Sequence, residues 1–169
     1  MPVTRAKVLP PQNGRPVEST FRELIRTFGL VERVMHSHFA RFGISGAQWG
    51  VLRTLHRAEQ EGIGGLRLTD LSDRLLIRPP SVTGAVDRLE RAGLVVRGGS
   101  PTDLRAKHVA LTRKGQQLVE RVLGVHGKQI DRVLGVLNPD EQAEFHRLLG
   151  RLGQHLERLL EEGVTAPIG

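Results

Sequence analysis

Between residues 66 and 115 the hydrophobic period of the chain switches from helical to alternating within one short stretch, and few folds accommodate that succession. LTDLSDRL and PPSVTGAVDRLERAG space their apolar residues as helices do, whereas LVVRG and KHVALT alternate apolar and polar positions as strands do. The second helical segment has definite start and stop signals. Pro79 and Pro80 suit a first helical turn, Val82, Ala85, Val86 and Leu89 form one apolar stripe, and Gly93 supplies a left-handed terminating residue. The turn formers of GSPTDLRA join the two alternating runs into a β-hairpin. Ahead of them, Leu66 to Leu68 read as a short strand, and Thr69 as the cap of a brief helix with Asp70 in its favourable first turn.

Long amphipathic segments flank this block. TFRE at 20–23 is a capping-box pattern, and Phe21, Leu24, Ile25, Phe28, Val31, Val34, Met35, His38, Phe39 and Phe42 keep helical spacing up to Gly43. SGAQ at 45–48 is a second capping box that opens a helix through Trp49, Val51, Leu52 and Leu55. A third signal, Asn138 with Glu141 and Pro139 between them, separates the stripe Leu118 to Leu137 from a last helix carrying Phe145, Leu148, Leu149, Leu152, Leu156, Leu159 and Leu160. The expected organisation is a flexible, basic, proline-rich arm (1–19), an N-terminal helix (20–44), a central lobe (45–115), C-terminal helices (116–163) and a tail (164–169). The fold class is mainly α with a small β-hairpin.

Composition narrows the function classes. With no cysteine, disulfides, Cys-based zinc sites and thiol redox sensing are excluded together, and a reducing, cytoplasmic setting is expected. No apolar run approaches the length of a membrane span, and the first residues lack a signal-peptide core. The net charge is +7 and is concentrated centrally: residues 65–115 carry 10 Lys and Arg against 5 Asp and Glu, whereas residues 116–169 carry 6 against 8. Five of the basic side chains, Arg97, Arg105, Lys107, Arg113 and Lys114, lie on or beside the hairpin, where they cannot contribute to a core. A polyanionic partner accounts for that placement. His36 and His38 lie about 200° apart around a helix and cannot share a metal, so no metal or other cofactor is expected.

The order helix, helix, strand, short helix, turn, helix, two-stranded hairpin is that of a winged helix-turn-helix. Its second helix enters the DNA major groove, since that groove admits a helix and distinguishes all four base pairs. The helix beginning at Pro79 is the candidate reader and the hairpin its wing. LTDLSDRL, VDRLERAGLVVR, the pair Asp103 and Arg105, and the exit VALTRKG resemble the core of the MarR (multiple antibiotic resistance regulator) family of bacterial transcription factors. The resemblance implies a homodimer held by the first and last helices, two winged lobes on a pseudo-palindromic double-stranded operator, and release by a small, often anionic aromatic, effector. Three amphipathic helices of about 20 to 25 residues exceed what a lone winged helix needs, which independently favours a partner surface.

The resemblance makes Arg105 the wing-tip arginine of the minor groove, where narrow A/T-rich stretches concentrate negative potential. Asp103 is expected to shape the wing by pairing with Arg97 or Arg105, and Lys107 to contact phosphate. Ser81 and Thr83, near the start of the reader helix, are donors for phosphates or base edges, and backbone amides there form an anion site. Arg78, held extended before Pro79, and Arg88 are backbone clamps; Asp87 and Glu90 are surface company for Arg88. Gly84 costs the helix about 1 kcal/mol relative to alanine and marks close backbone approach to DNA. By resemblance, the effector cleft lies near His38, Arg41 and Trp49, although Trp49 equally suits the core.

The expected function is therefore a sequence-specific, DNA-binding, ligand-responsive transcriptional repressor. The alternative is a winged-helix module that docks protein without specific DNA binding. An enzyme is not expected: no cysteine nucleophile, Gly-x-Ser-x-Gly elbow or phosphate-cradling glycine loop is present.

Overall fold

The structure is a computed structural model that describes residues 16–76, 78–100 and 103–163; within the wing, residues 99–100 and 103–107 are described by backbone alone. The tail and most of the N-terminal arm lie outside the described residues. The element order is α1 (Pro16–Ala40), α2 (Gly46–Gln60), β1 (Leu66–Arg67), α3 (Leu68–Leu75), α4 (Pro79–Arg91), β2 (Val95–Ser100), β3 (Asp103–Leu111), α5 (Arg113–Leu134) and α6 (Pro139–Glu161). The chain divides into two compact units, residues 1–124 and 125–169.

In the first unit, local signals set most boundaries. Ser45 Oγ accepts from Gln48 N at 3.2 Å while Gln48 Oε1 accepts from Ser45 N at 2.8 Å, so both halves of the capping box at α2 form. Arg78 takes φ −58°, ψ 138°, the extended form its proline neighbour imposes, and Gly93 closes α4 at φ 68°. The hairpin is joined by β1 into a three-stranded antiparallel sheet of order β1-β3-β2, with Leu66 opposite Val109 and Val95 opposite Leu111. Leu52, Leu71, Leu89, Val82, Val86, Val109, Val119 and Val122 are fully buried between α2, α3, α4, the sheet and the start of α5. Each such side chain stabilises the lobe by about 1.5 to 3 kcal/mol.

Two boundaries depart from expectation. α1 starts at Pro16, so Thr20 is interior and its hydroxyl donates to Pro16 O at 2.8 Å instead of capping. Proline's fixed φ and missing N–H suit the first helical position, and that signal prevails. α3 starts at Leu68, which leaves Thr69 inside the helix; Asp70 Oδ2 instead accepts from Arg67 N at 3.0 Å. The turn after α3 passes through Leu76 at φ 52°, a left-handed residue with a Cβ, at a cost of about 1 to 2 kcal/mol.

α1 is buried mainly at its end. His38 and Phe39 are buried, whereas Phe21, Ile25 and Phe28 are each more than half exposed. Val17, Phe21 and Ile25 line an open apolar groove of about 740 Å³. In the second unit, Asn138 and Glu141 form both bonds of the third capping box, at 3.0 and 2.8 Å. α6 has no buried residue, and Phe145, Leu148, Leu152 and Leu156 form an exposed apolar stripe. Among the described residues, no helix is long and apolar enough to cross a membrane.

Candidate nucleic-acid interface

Burial of Val82, Ala85, Val86 and Leu89 settles which way α4 turns. At about 100° per residue the opposite, outward line runs through Pro80, Gly84, Asp87 and Arg91, flanked by Ser81 and Arg88 on one side and Thr83 and Glu90 on the other. Ser81 and Arg88 are exposed, as is Arg78 just ahead of the helix. Neither arginine forms an ion pair among the described residues, so both guanidinium groups remain available to phosphate.

The start of α4 is a poorer anion site than its sequence suggests. Pro79 and Pro80 have no N–H, and the amides of Ser81 and Val82 both donate to Arg78 O, at 3.0 and 3.4 Å. The expected cradle of free backbone donors is therefore absent at these positions. Thr83 is altered in the same sense: its hydroxyl donates to Pro79 O at 3.0 Å, which leaves the oxygen able to accept a hydrogen bond but with no proton to give a phosphate. Ser81 lies inside the first turn and does not cap it.

Gly84 sits in the middle of the outward face. A Cβ built there would meet only the Arg88 guanidinium, at 3.8 and 3.9 Å, so nothing in the protein's own packing requires glycine. Gly84→Ala is accordingly expected to raise stability by about 1 kcal/mol in a denaturant titration, since alanine is the better helix former and no clash opposes it. A loss of stability would show that the helix needs the glycine for a reason internal to the fold.

Arg97 is where the structure most changes the expected site. Its guanidinium bonds Asp87 Oδ1 through one nitrogen and Glu90 Oε2 through the other, and its backbone N–H donates to Glu90 Oε1 at 3.3 Å. The carboxylates assigned to Arg88 as surface company thus belong to Arg97. The guanidinium pKa is pushed further up, first by the hydrogen bond with Asp87 and then by Glu90, against the opposing effect of burial. Arg97 therefore ties β2 to α4 through Asp87 and Glu90, which are not the partners expected from the sequence, and the side chain of Asp103, its expected partner, lies outside the described residues.

On the wing, Ser100 faces Asp103 and Gly99 faces Lys107, so a one-residue step on β2 is answered by four residues on β3. Leu104, Arg105 and Ala106 lie in the resulting bulge, which puts the Arg105 backbone at the irregular end of the hairpin. The side chains of Arg105 and Lys107 lie outside the described residues.

The effector candidates separate. His38 is buried, with its ring centroid 5.2 Å from that of Phe39 and 5.7 Å from that of Phe42. Burial, and secondarily the nearby Arg41 charge, hold its pKa below the ordinary histidine value. Trp49 is buried and stacks on Phe39 at 5.6 Å, whereas Arg41 is exposed. Two of the three candidates are thus core side chains.

VALTRKG also acquires a physical meaning. Thr112 Oγ1 donates to Gly93 O at 2.7 Å and accepts from Gly115 N at 3.1 Å, capping α5, while Lys114 Nζ donates to Ala92 O at 2.8 Å at the end of α4. The turn after the reader helix is thereby tied to the entry of α5.

Known proteins share this arrangement. The family model described as MarR family matches residues 42–106. The uncharacterized HTH-type transcriptional regulator YkoM of Bacillus subtilis is 31% identical over 141 residues, which cover 81% of this chain and 88% of that protein. Among solved structures, a mutant MarR from E. coli complexed with operator DNA superposes with a TM-score of 0.73 at 22% identity, covering 84% of this chain and 99% of that one. The structure describing regulation of DNA binding of Bordetella bronchiseptica BpsR by 6-hydroxynicotinic acid gives a TM-score of 0.70 at 24% identity, covering 80% and 98%. With a winged helix-turn-helix in its first unit and a curated relative matched over most of both lengths, this chain belongs to the MarR family of transcriptional regulators.

Proposed function

We propose that this DNA-binding regulator is a homodimeric repressor that reads a pseudo-palindromic double-stranded operator and is released by a small anionic aromatic effector. The observation that carries the DNA-binding part is the outward face of α4. Its apolar stripe is committed to the core, Ser81, Arg88 and the preceding Arg78 remain exposed, and a basic hairpin follows directly. An exposed helix face whose guanidinium groups form no ion pair among the described residues suits the major groove and its phosphates.

The dimer is supported by the exposed apolar stripes of α1 and α6, each more apolar than a solvated helix face requires. The effector class is supported by analogy alone: BpsR is described as regulated by 6-hydroxynicotinic acid, an anionic aromatic. The family is one of transcriptional regulators and not of enzymes, so no reaction is assigned.

Selection of bound fragments from the source genome, followed by a titration at moderate salt, tests the reading. Specific fragments with two-fold related half-sites are expected. Arg105→Ala is expected to weaken their binding roughly ten-fold, the usual worth of one good groove contact, and to leave thermal stability unchanged. Equal affinity of wild type and variant would remove the wing from the interface.

A further inference from the structure

An acid at the centre of a DNA-facing helix is a liability, and α4 carries two, Asp87 on the outward line and Glu90 on its flank. We infer that Arg97 is the built-in counter-ion of the reader helix: by holding Asp87 and Glu90 together it keeps two carboxylates from repelling the phosphates that α4 must approach. This rests on the DNA-binding reading above and adds to it a positioning residue that does not itself need to touch DNA.

The geometry is specific to arginine. One guanidinium nitrogen serves Asp87 and the other Glu90, while the backbone N–H of the same residue bonds the second oxygen of Glu90 at 3.3 Å. A lysine ammonium has no fixed fork to span two acids. The Arg97 side chain is only 23% exposed, against 50% for Asp87, so the cation lies beneath the acid it neutralises and leaves the outward surface clear. The two acids stand three residues apart on one helix and are therefore neighbours on its surface, and no other ion pair involves either among the described residues. Without Arg97 the patch changes from one net negative charge to two, on the surface that faces a polyanion. The same grip ties β2 to α4, so masking and placement must be separated by experiment.

Operator affinity of the full chain, measured by fluorescence anisotropy on a duplex carrying the selected site, separates them. Arg97→Ala is expected to bind roughly ten-fold more weakly than wild type, the effect of bringing like charges together. The deficit should shrink as salt rises from about 0.01 to 0.15 M, where the screening length falls from about 30 to 8 Å. Adding Asp87→Asn and Glu90→Gln to Arg97→Ala is expected to restore affinity to within about three-fold, because neutral amides need no counter-ion. With Arg97 intact, the Asp87→Asn/Glu90→Gln pair should bind at least as tightly as wild type, and this variant keeps the test open even if Arg97→Ala folds poorly. The inference is overturned if Arg97→Ala binds normally, if the triple variant stays as weak as Arg97→Ala, or if the amide pair loses affinity, which would mean that the carboxylates contact bases themselves. Failure of the wild-type chain to bind any duplex would instead defeat the DNA-binding reading.

Discussion

Gly115→Ala is expected to cost the protein about 3 kcal/mol or more, lowering Tm by roughly 10 °C in a calorimetric scan. A Cβ at this position would lie 2.1 Å from Leu94 O and 3.1 Å from Leu94 C, with a Leu111 methyl at 3.3 Å. The first two neighbours are backbone, and backbone here has nowhere to go. Leu94 O already accepts from Thr112 N at 3.1 Å, and Gly115 N donates to Thr112 Oγ1 at 3.1 Å. Opening the contact breaks the α5 cap or lifts the turn after α4, so overpacking is compounded by lost hydrogen bonds worth about 1 kcal/mol each. Gly124 in the same helix is the control. A Cβ there meets nothing within 4 Å, so Gly124→Ala should be neutral or slightly stabilising. Equal Tm for the two variants would show that the entry of α5 slides freely.

This position also shows the limit of reading the chain alone. VALTRKG was legible as a family motif, yet its reason is a contact between Gly115 and a carbonyl 21 residues earlier, and no local pattern encodes that approach. The same holds for Arg97. Asp87 and Glu90 look like surface acids until the chain has turned at Gly93 and brought β2 back along α4. Signals satisfied within a few residues were legible: the Ser45–Gln48 and Asn138–Glu141 boxes, the apolar stripe of α4, and the hairpin. Where two local codes compete the stronger sets the boundary, as at Pro16, whose fixed φ overrides the box pattern at Thr20. β1 was foreseen as a short strand, but its pairing with β3 joins residues some 40 apart and leaves no periodic trace in two residues. Amphipathic spacing showed that α1 and α6 each have an apolar side. It did not show that most of that side stays exposed in the single chain, because periodicity records that a face is apolar and not what covers it.

Salt dependence is the measurement on which the proposed interface predicts the largest change. On the proposed interface Arg78, Arg88 and Lys107 of each lobe face phosphates and Arg105 enters the phosphate-lined minor groove, so the proposed pair of lobes neutralises on the order of eight phosphate charges, and the log-log slope of affinity against salt should approach about −7. Raising salt from about 50 to 200 mM should then weaken operator binding by about 10⁴-fold. A module that docks protein through the same winged surface has no condensed counterions to release and predicts a slope near zero on any duplex. The slope also assigns residues. Arg88→Ala is expected to reduce its magnitude by about 1 and to weaken all duplexes alike, because a phosphate contact carries no base information. If Arg88→Ala instead changes which base pairs are preferred at one half-site position while the slope holds, its guanidinium reaches a base edge across the open notch at Gly84, where a Cβ would lie 3.8 Å from it. The backbone clamp would then reduce to Arg78 and the wing.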